Sequence, residues 1–200
     1  MPELYKNKFH IESTRLPGYD YSQPGYYFVT ICTKYKFCYF GEIVDEKMVL
    51  NNIGKIAVKY WLEIPKHFLQ VTLDEFVIMP NHVHGIVEIN ENCRDEALPR
   101  LYINATEPNI NIHQSYTGQH PQMSQISPKP NSLSTIIGSY KSICTKTINQ
   151  LHGNNYFAWQ SRFYDHIIKN DQALFNIRQY IINNPQIWNR DRNNEDGLLV

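Results

Sequence analysis

The chain has 200 residues, 42% of them hydrophobic, which provides enough apolar side chains for the core of one domain with an extension. The formal net charge is zero, so no field of the whole molecule steers the protein toward nucleic acid or a membrane, although a local patch can still do so. The chain shows no signal sequence, no apolar run of transmembrane length and no CxxC pair among its four cysteines. We therefore expect a cytoplasmic protein with free thiols and no membrane partner.

The first predicted elements are a strand and a helix. Residues 26–33, YYFVTICT, are β-branched and aromatic throughout, which is typical of a central strand. Residues 51–68 place apolar side chains at helical spacing, with Asn51 or Asn52 as the N-cap. Pro65 is predicted to mark the last turn of this helix.

The middle of the chain predicts a strand pair followed by an irregular segment. Residues 72–80 and 82–89, TLDEFVIMP and HVHGIVEI, are two strands joined tightly through Pro80 and Asn81, as in a hairpin. Between residues 91 and 131 the periodicity is lost, and prolines accompany Asn, Gln, Ser and Thr. We interpret this stretch as a long, flexible insertion.

Regular structure is predicted again from Ser132 onward. Residues 132–153 have one apolar face, a serine cap at the start and a glycine at the end, which indicates a helix. RFYDHIIK, residues 162–169, is a short strand candidate, and residues 171–184 form a last helix that Pro185 ends.

The order strand, helix, strand, strand, helix, strand, helix predicts an α+β fold. Its natural packing is a ferredoxin-like or RRM-like antiparallel sheet with helices mainly on one face. We expect one domain over residues 1–200, interrupted by the insertion at 91–131. No internal repeats are visible.

The charges are unevenly distributed along the chain. Between Ser132 and Arg192 there are seven basic residues and three acidic ones. This local surplus of positive charge suits the binding of phosphate groups.

His82 and His84 stand one residue apart in an apolar run, MPNHVHGIVEI. Alternate residues of a strand share a face, so the two imidazoles project side by side and can grip one divalent metal ion. The ordinary alternative is a pair of histidines on a solvated sheet face. The chain has neither the further ligands of a cupin barrel nor the repeated His-x-Thr of two-histidine phosphoesterases.

The last helix provides a candidate nucleophile and a candidate third ligand. Tyr180 and Asn184 in YIINNP are four residues apart, hence on one helix face at the flank of the apolar stripe. A tyrosine at the edge of a core and an asparagine at a helix end are the ordinary alternatives for these positions.

Three stretches in this order, MPNHVHGIV, WQSRFYDHIIKN and YIINNP, resemble the REP-associated tyrosine transposases. These are single-tyrosine members of the HUH endonuclease superfamily, related to the transposases of small hairpin-bounded insertion sequences. The match runs from about Gly25 to Asn189 and leaves the segment 91–131 outside it. An HxH motif alone is weak, whereas three ordered motifs at these intervals are specific.

The resemblance implies roles for individual residues. His82 and His84 would be metal ligands, Asn184 would replace the glutamine that is the third ligand in the insertion-sequence relatives, and Tyr180 would be the nucleophile. Trp159, Gln160 and Arg162 fall in the WQxRF stretch of the family, which is expected to lie near DNA. Lys141 and Lys146, on the polar side of the preceding helix, are candidate phosphate contacts, although a solvated helix face is the default interpretation for them. Tyr26, Tyr27 and Trp159 could stack on unpaired bases, and a core position is favoured for the first two.

The implied activity is cleavage and transfer of single-stranded DNA next to a hairpin. Neutral ligands leave a bound Mg²⁺ or Mn²⁺ its full charge for the scissile phosphate. Attack by Tyr180 would give a covalent 5′-phosphotyrosine and a free 3′-hydroxyl, and a second DNA end could then attack the intermediate. The rival hypotheses are a non-cleaving hairpin-binding module and a metal hydrolase that uses water. The target sequence, a mobile or a host role, and a monomeric or homodimeric state stay open at this level.

Overall fold

The protein is described by a computed structural model that covers residues 15–91 and 129–194, together with the backbone of two short strands near the N-terminus. The strands are β1 (Leu4–Tyr5), β2 (Lys8–Phe9), β3 (Gly25–Cys32), β4 (Gly41–Val44), β5 (Lys47–Leu50), β6 (Val71–Met79), β7 (His82–Ile89) and β8 (Tyr164–Ile168). The helices are α1 (Asn52–Leu62), α2 (Ile64–His67), α3 (Leu133–His152) and α4 (Asp171–Asn183), with 3-10 turns at Lys34–Lys36 and Asn184–Arg190.

A four-stranded antiparallel sheet in the order β6-β7-β3-β8 forms the centre of the fold. The hairpin predicted around Pro80 and Asn81 is present, with Met79 paired to His82. On the other side of β7, strand β3 pairs so that Thr30 lies opposite His84. The predicted α+β class with an antiparallel sheet is confirmed.

The two faces of the sheet pack against different helices, because alternate residues of each strand point to opposite sides. One face, which includes Val29 and Val83, packs against α1 and α3 and forms the larger core cluster. The other face, which includes Phe28 and Ile86, packs against α4. Two of the three longer helices therefore cover one face, and α4 lies alone over the face that carries both histidines.

Gly85, on strand β7, allows helix α1 to pack directly against the backbone of that strand. The ring of Trp61 is so close that a Cβ at Gly85 would lie 2.3 Å from Cζ2 of the indole. Any side chain at this position would displace α1 or bend β7. The close contact fixes β7 against α1, and β7 is the strand that carries His82 and His84.

The helix ends follow the sequence in most positions. Asn51 is the N-cap of α1, since its Oδ1 accepts a hydrogen bond from the backbone N–H of Gly54 at 2.9 Å. Ser132 caps α3 in the same way, and Gly153, with φ of 100°, follows its last turn. Pro65 differs from expectation: it lies in the first turn of the separate helix α2, where a residue without an N–H costs nothing, and α1 ends earlier at Leu62.

The last helix agrees with the prediction, since α4 ends at Asn183, two residues before Pro185. What the sequence did not predict is the 3-10 turn at Asn184–Arg190, which follows α4 directly and has the proline in its first turn. This turn carries the chain back toward the sheet.

Three further predictions concern segments or properties of the whole chain. None of the helices within the described ranges combines the length and apolar composition that crossing a bilayer requires. Cys32 and Cys144 are buried free thiols. The single domain with an insertion at 91–131 stays a prediction, because residues 92–128 lie outside the described part of the chain.

Candidate metal centre and nucleic-acid interface

His82 and His84 lie side by side on β7 and are both fully buried. Their ring centroids are 4.4 Å apart, with the ring planes at 72°. The solvated-face alternative does not hold, because α4 and the 3-10 turn cover this side of the sheet. Two buried imidazoles need partners, and these partners fix the protonation of each ring.

The proton of His82 is fixed by Asn81. The amide nitrogen of Asn81 donates to the backbone carbonyls of Lys36 at 2.9 Å and of Asn193 at 2.7 Å. Its oxygen therefore faces Nδ1 of His82 at 2.8 Å and can only accept, so Nδ1 carries the proton. The lone pair of His82 is then on Nε2, which has no hydrogen-bond partner among the described residues.

His84 is held between a threonine and the predicted nucleophile. Its Nδ1 lies 2.9 Å from the hydroxyl of Thr30 on the neighbouring strand. Its Nε2 lies 3.3 Å from the hydroxyl of Tyr180. A proton on Nδ1, donated to Thr30, leaves the Nε2 lone pair facing the phenol and the space next to His82.

Both histidines are neutral at physiological pH. Burial lowers the pKa of His82 to about 3, and the positive charges of Arg192 and Lys36 act in the same direction. The pKa of His84 is lowered well below its ordinary value, first by burial and then by the proximity of His82. Neutral imidazoles are the form that binds metal ions.

Asn184 follows Tyr180 by one helical turn and is fully buried. Both its amide nitrogen and its carbonyl oxygen are without a hydrogen-bond partner in the part of the chain that the structure describes. An unsatisfied buried amide is costly, and Nε2 of His82 is likewise without a hydrogen-bond partner there. Orphaned donor atoms of this kind fit a metal ion that would use them.

Asp191 is a further candidate ligand. Its Oδ2 lies 4.0 Å from Nε2 of His82, and one ligand atom from each of Asp191, His82 and His84 lies within 4.8 Å of the others. The backbone N–H of Asn193 donates to its Oδ1 at 2.6 Å and so orients the carboxylate. Trp188, on the 3-10 turn, stacks on His82 with ring centroids 6.0 Å apart.

The sequence analysis did not identify Asp191. It lies seven residues beyond Asn184, which on a continuous helix would put it about 10 Å further along the axis, and Arg190 and Arg192 flank it. Only the change from α4 to the 3-10 turn brings it back to the sheet. The one available signal was a lone acidic residue within a basic stretch.

Tyr180 reaches the histidines of its own chain. Its side chain is 38% exposed, and its ring lies 5.2 Å from that of His84. Burial raises the pKa of Tyr180, and the charge of Asp191 adds to this effect, whereas the amide of Asn184 and the charge of Arg192 act in the opposite direction. The phenol therefore holds its proton at neutral pH in the protein alone.

A separate cavity of about 920 Å³ lies along α3 and the loop that follows it. The five residues that the sequence predicted to contact DNA all line it, namely Lys141, Lys146, Trp159, Gln160 and Arg162. Arg15, which the sequence analysis did not identify, is a further cation of the lining and is paired with Asp165 at 3.0 Å. The cavity is therefore basic, in agreement with the local charge surplus.

Two of these five residues hold the loop in place. The ammonium group of Lys141 donates to the backbone carbonyls of Gln160 at 2.7 Å and Ser161 at 3.2 Å, and burial lowers its pKa. Trp159 is only 8% exposed and lies in the core, where its Nε1–H donates to the carbonyl of Lys141. Its position does not leave a ring face for stacking on bases. Tyr27 is fully buried, as the sequence favoured.

The fold and the site together define an α+β protein with a buried histidine pair on its central sheet and a tyrosine facing it from the last helix. No family model matches the chain. An uncharacterized protein of Haemophilus influenzae is 36% identical over 183 residues, which cover 92% of each chain. The chain belongs to the same family as that protein.

Two solved structures are similar at a greater distance. The structure of a REP-associated tyrosine transposase bound to a REP hairpin gives a TM-score of 0.49 at 14% identity, over 88% of this chain and 73% of that one. A crystal structure of a putative transposase from Deinococcus radiodurans gives a TM-score of 0.37 at 16% identity, over 86% of this chain and 97% of that one.

Proposed function

We propose that the protein is a metal-dependent single-stranded DNA nuclease and strand transferase of the HUH type, with Tyr180 as its nucleophile. The observation that carries the proposal is the 3.3 Å between the Tyr180 hydroxyl and Nε2 of His84, within one chain. The three ordered motifs of the sequence support it independently. Tyr180 and the two neutral imidazoles lie together, and the unsatisfied amide of Asn184 follows the tyrosine by one helical turn.

His82 and His84 would hold the metal ion through their Nε2 atoms. Asn184, the ligand implied by the resemblance, and Asp191, the ligand added by the geometry, are candidates for the next position. Nitrogen ligands suit Mn²⁺, whereas a carboxylate oxygen suits Mg²⁺ as well. When bound, the ion would supply positive charge that polarises the scissile phosphate.

Tyr180 would form a new ester bond to the phosphorus atom. The phenolic oxygen makes the O–P bond, and the bond between phosphorus and the 3′-oxygen breaks. The phenolic proton passes to water, which reaches the partly exposed hydroxyl, and the departing 3′-oxygen takes up a proton. The products are a 5′-phosphotyrosine and a free 3′-hydroxyl, and attack by another 3′-hydroxyl reverses the step on a new strand.

The basic cavity along α3 would hold part of the DNA. Lys146, Arg162 and Arg15 place positive charge around it, and Lys141 holds the loop that forms its wall. A hairpin substrate next to a single strand is what the resemblance implies. Phosphate contacts of this kind fix position without reading sequence.

A denaturing gel tests the proposal. The protein is incubated with Mn²⁺ and a labelled single strand that carries a hairpin, and we expect a covalent protein–DNA band. Tyr180→Phe should lose this band, because it removes only the attacking oxygen. Tyr60→Phe is the matched control, since this tyrosine lies on α1 at the opposite face of the sheet and should leave the band unchanged.

The rival hypotheses predict different gels. Strand cleavage that persists in Tyr180→Phe without a covalent band would support a hydrolase that uses water. Binding without cleavage under both Mg²⁺ and Mn²⁺ would support a hairpin-binding module.

A further inference from the structure

A series of exposed aromatic rings lies outside the residues assigned above. Tyr35 is 69% exposed, Phe37 57% and Tyr156 45%. The rings of Tyr35, Phe37, Tyr39 and Tyr156, here called the aromatic platform, contact each other in that order at centroid distances of 5.9, 6.2 and 5.6 Å. Contiguous exposed apolar surface of this kind marks an interaction site.

The backbone at the start of the platform is strained. Tyr35 and Lys36 have φ angles of 57° and 53°, in the left-handed region that favours glycine. Two hydrogen bonds hold this turn, from Thr33 Oγ1 to the carbonyl of Phe37 at 2.8 Å and from the Asn81 amide to the carbonyl of Lys36 at 2.9 Å. Consecutive strained residues that present an exposed ring are typical of functional segments.

The backbone segment that carries Tyr35 and Phe37 is hydrogen-bonded both to a neighbour of the histidine pair and to the wall of the basic cavity. On one side, Asn81 binds both the carbonyl of Lys36 and Nδ1 of His82. On the other side, the backbone N–H of Lys34 donates to the carbonyl of Ala158, a residue of the cavity wall. A strand that extends from the cavity to the metal centre would therefore pass this surface.

The charges around the platform are positive. The segment KYKFCY, residues 34–39, has two lysines and no acidic residue. The ammonium group of Lys34 lies 5.0 Å from the centroid of the Tyr35 ring, and that of Lys36 donates to the carbonyl of Arg192. Exposed rings next to cations are what proteins offer to unpaired nucleic-acid bases, whose faces stack while their phosphates meet the charges.

We propose that the aromatic platform binds unpaired bases of the DNA strand by stacking, with Tyr35 and Phe37 as the principal contacts. This proposal rests on the proposed function for its ligand and concerns binding alone. It gives the protein a surface for single-stranded DNA that is separate from the cleavage site.

Binding of a labelled single-stranded oligothymidine, without any metal ion, tests the proposal. Tyr35→Ala and Phe37→Ala should each weaken binding roughly fivefold to a hundredfold, as the loss of one stacked base does. Phe175→Ala is the matched control, because this equally exposed ring lies on α4 away from the platform, and it should leave the affinity unchanged. Tyr35→Trp should retain tight binding, because it keeps a ring in place.

Two results of the binding measurements would overturn the proposal. Unchanged affinity in both alanine variants contradicts it, and so does an equal loss in Phe175→Ala. A dimer in sedimentation that both alanine variants abolish, at unchanged DNA affinity, would assign the platform to a second copy of the chain. Failure of the covalent-band assay leaves this binding test intact, because no cleavage enters it.

Discussion

At the scale of single residues, Asn81 connects the candidate metal centre to the surrounding backbone. Its amide nitrogen satisfies two backbone carbonyls, and its oxygen holds the protonated Nδ1 of His82. Because Nδ1 of His82 carries the proton, its lone pair is on Nε2, which lies 4.0 Å from Oδ2 of Asp191. Asn81 would therefore orient a proposed metal ligand without binding the ion itself.

Asn81→Ala should lower the affinity for Mn²⁺ about 10- to 100-fold, the usual effect of losing a group that orients a metal-binding histidine. Isothermal titration with Mn²⁺ measures it. Asn90→Ala is the control, because Asn90 also bridges a backbone carbonyl and a side chain, at the opposite end of the same strand pair. Equal affinities in the two variants would contradict the role of Asn81.

The candidate site residues differ in how far the sequence predicts them. His82 and His84 are predictable because the period of a strand places them on one face whatever the rest of the fold does. Tyr180 and Asn184 are predictable as a pair from helical spacing, although their approach to the histidines depends on how α4 packs. Asp191 is not predictable, because its position results from a 3-10 turn whose path depends on tertiary contacts.

At the scale of elements, α4 is attached to the sheet by an ion pair close in sequence to Tyr180. Arg178, two residues before Tyr180, donates from Nε to Oδ1 of Asp74 at 2.9 Å. Asp74 lies at an irregularity of β6, where the register shifts between Leu73 and Phe76. This bulge turns the carboxylate toward the helix.

The ion pair should make stability depend on acid pH. Arg178 lowers the pKa of Asp74 in the folded protein, so the pair stabilises the fold above the ordinary carboxyl pKa of about 4 and the stabilisation is lost as pH falls through the lowered value. Because Arg178 is partly exposed, the effect should be about 1 kcal/mol or less. Urea unfolding of the wild type and of Asp74→Asn at pH 7 and pH 3 measures the difference.

The difference in unfolding free energy between the two proteins should change with pH in one direction. Asp74→Asn should be less stable than the wild type at pH 7, and the gap should narrow at pH 3. Glu75→Gln, which changes the neighbouring exposed carboxylate, should show no such narrowing. A gap that widens at pH 3 would mean that the pair does not stabilise the folded state.

The helix ends and turns were predicted correctly where a few adjacent residues determine the local structure. The N-caps at Asn51 and Ser132 and the hairpin at Pro80–Asn81 depend on a few adjacent residues. Pro185 was correct as the end of α4, whereas Pro65 was wrong as the last turn of α1, because proline is tolerated in the first turn of a following helix as readily as it stops a preceding one. Sequence alone does not distinguish these two uses.

At the scale of the whole molecule, the two faces of the sheet differ in what they contain. The face that packs on α1 and α3 contains the larger apolar cluster. The face under α4 contains a smaller apolar cluster, together with the histidine pair and its polar partners. The basic cavity and the aromatic platform both lie next to the end of β3, where Gln160 bonds to the carbonyl of Cys32 and Thr33 bonds to that of Asn81. Zero net charge is therefore compatible with a DNA-binding surface, since the cations are concentrated locally.

The central claim concerns one tyrosine among the fourteen of the chain. Mass spectrometry of the protein after incubation with Mn²⁺ and a hairpin-bearing strand, followed by nuclease and protease digestion, locates any nucleotide left on a side chain. We predict a residual 5′-nucleotide on Tyr180, in a peptide that contains YIINNP. A nucleotide on any other tyrosine, or complete strand cleavage with every tyrosine unmodified, would contradict the account.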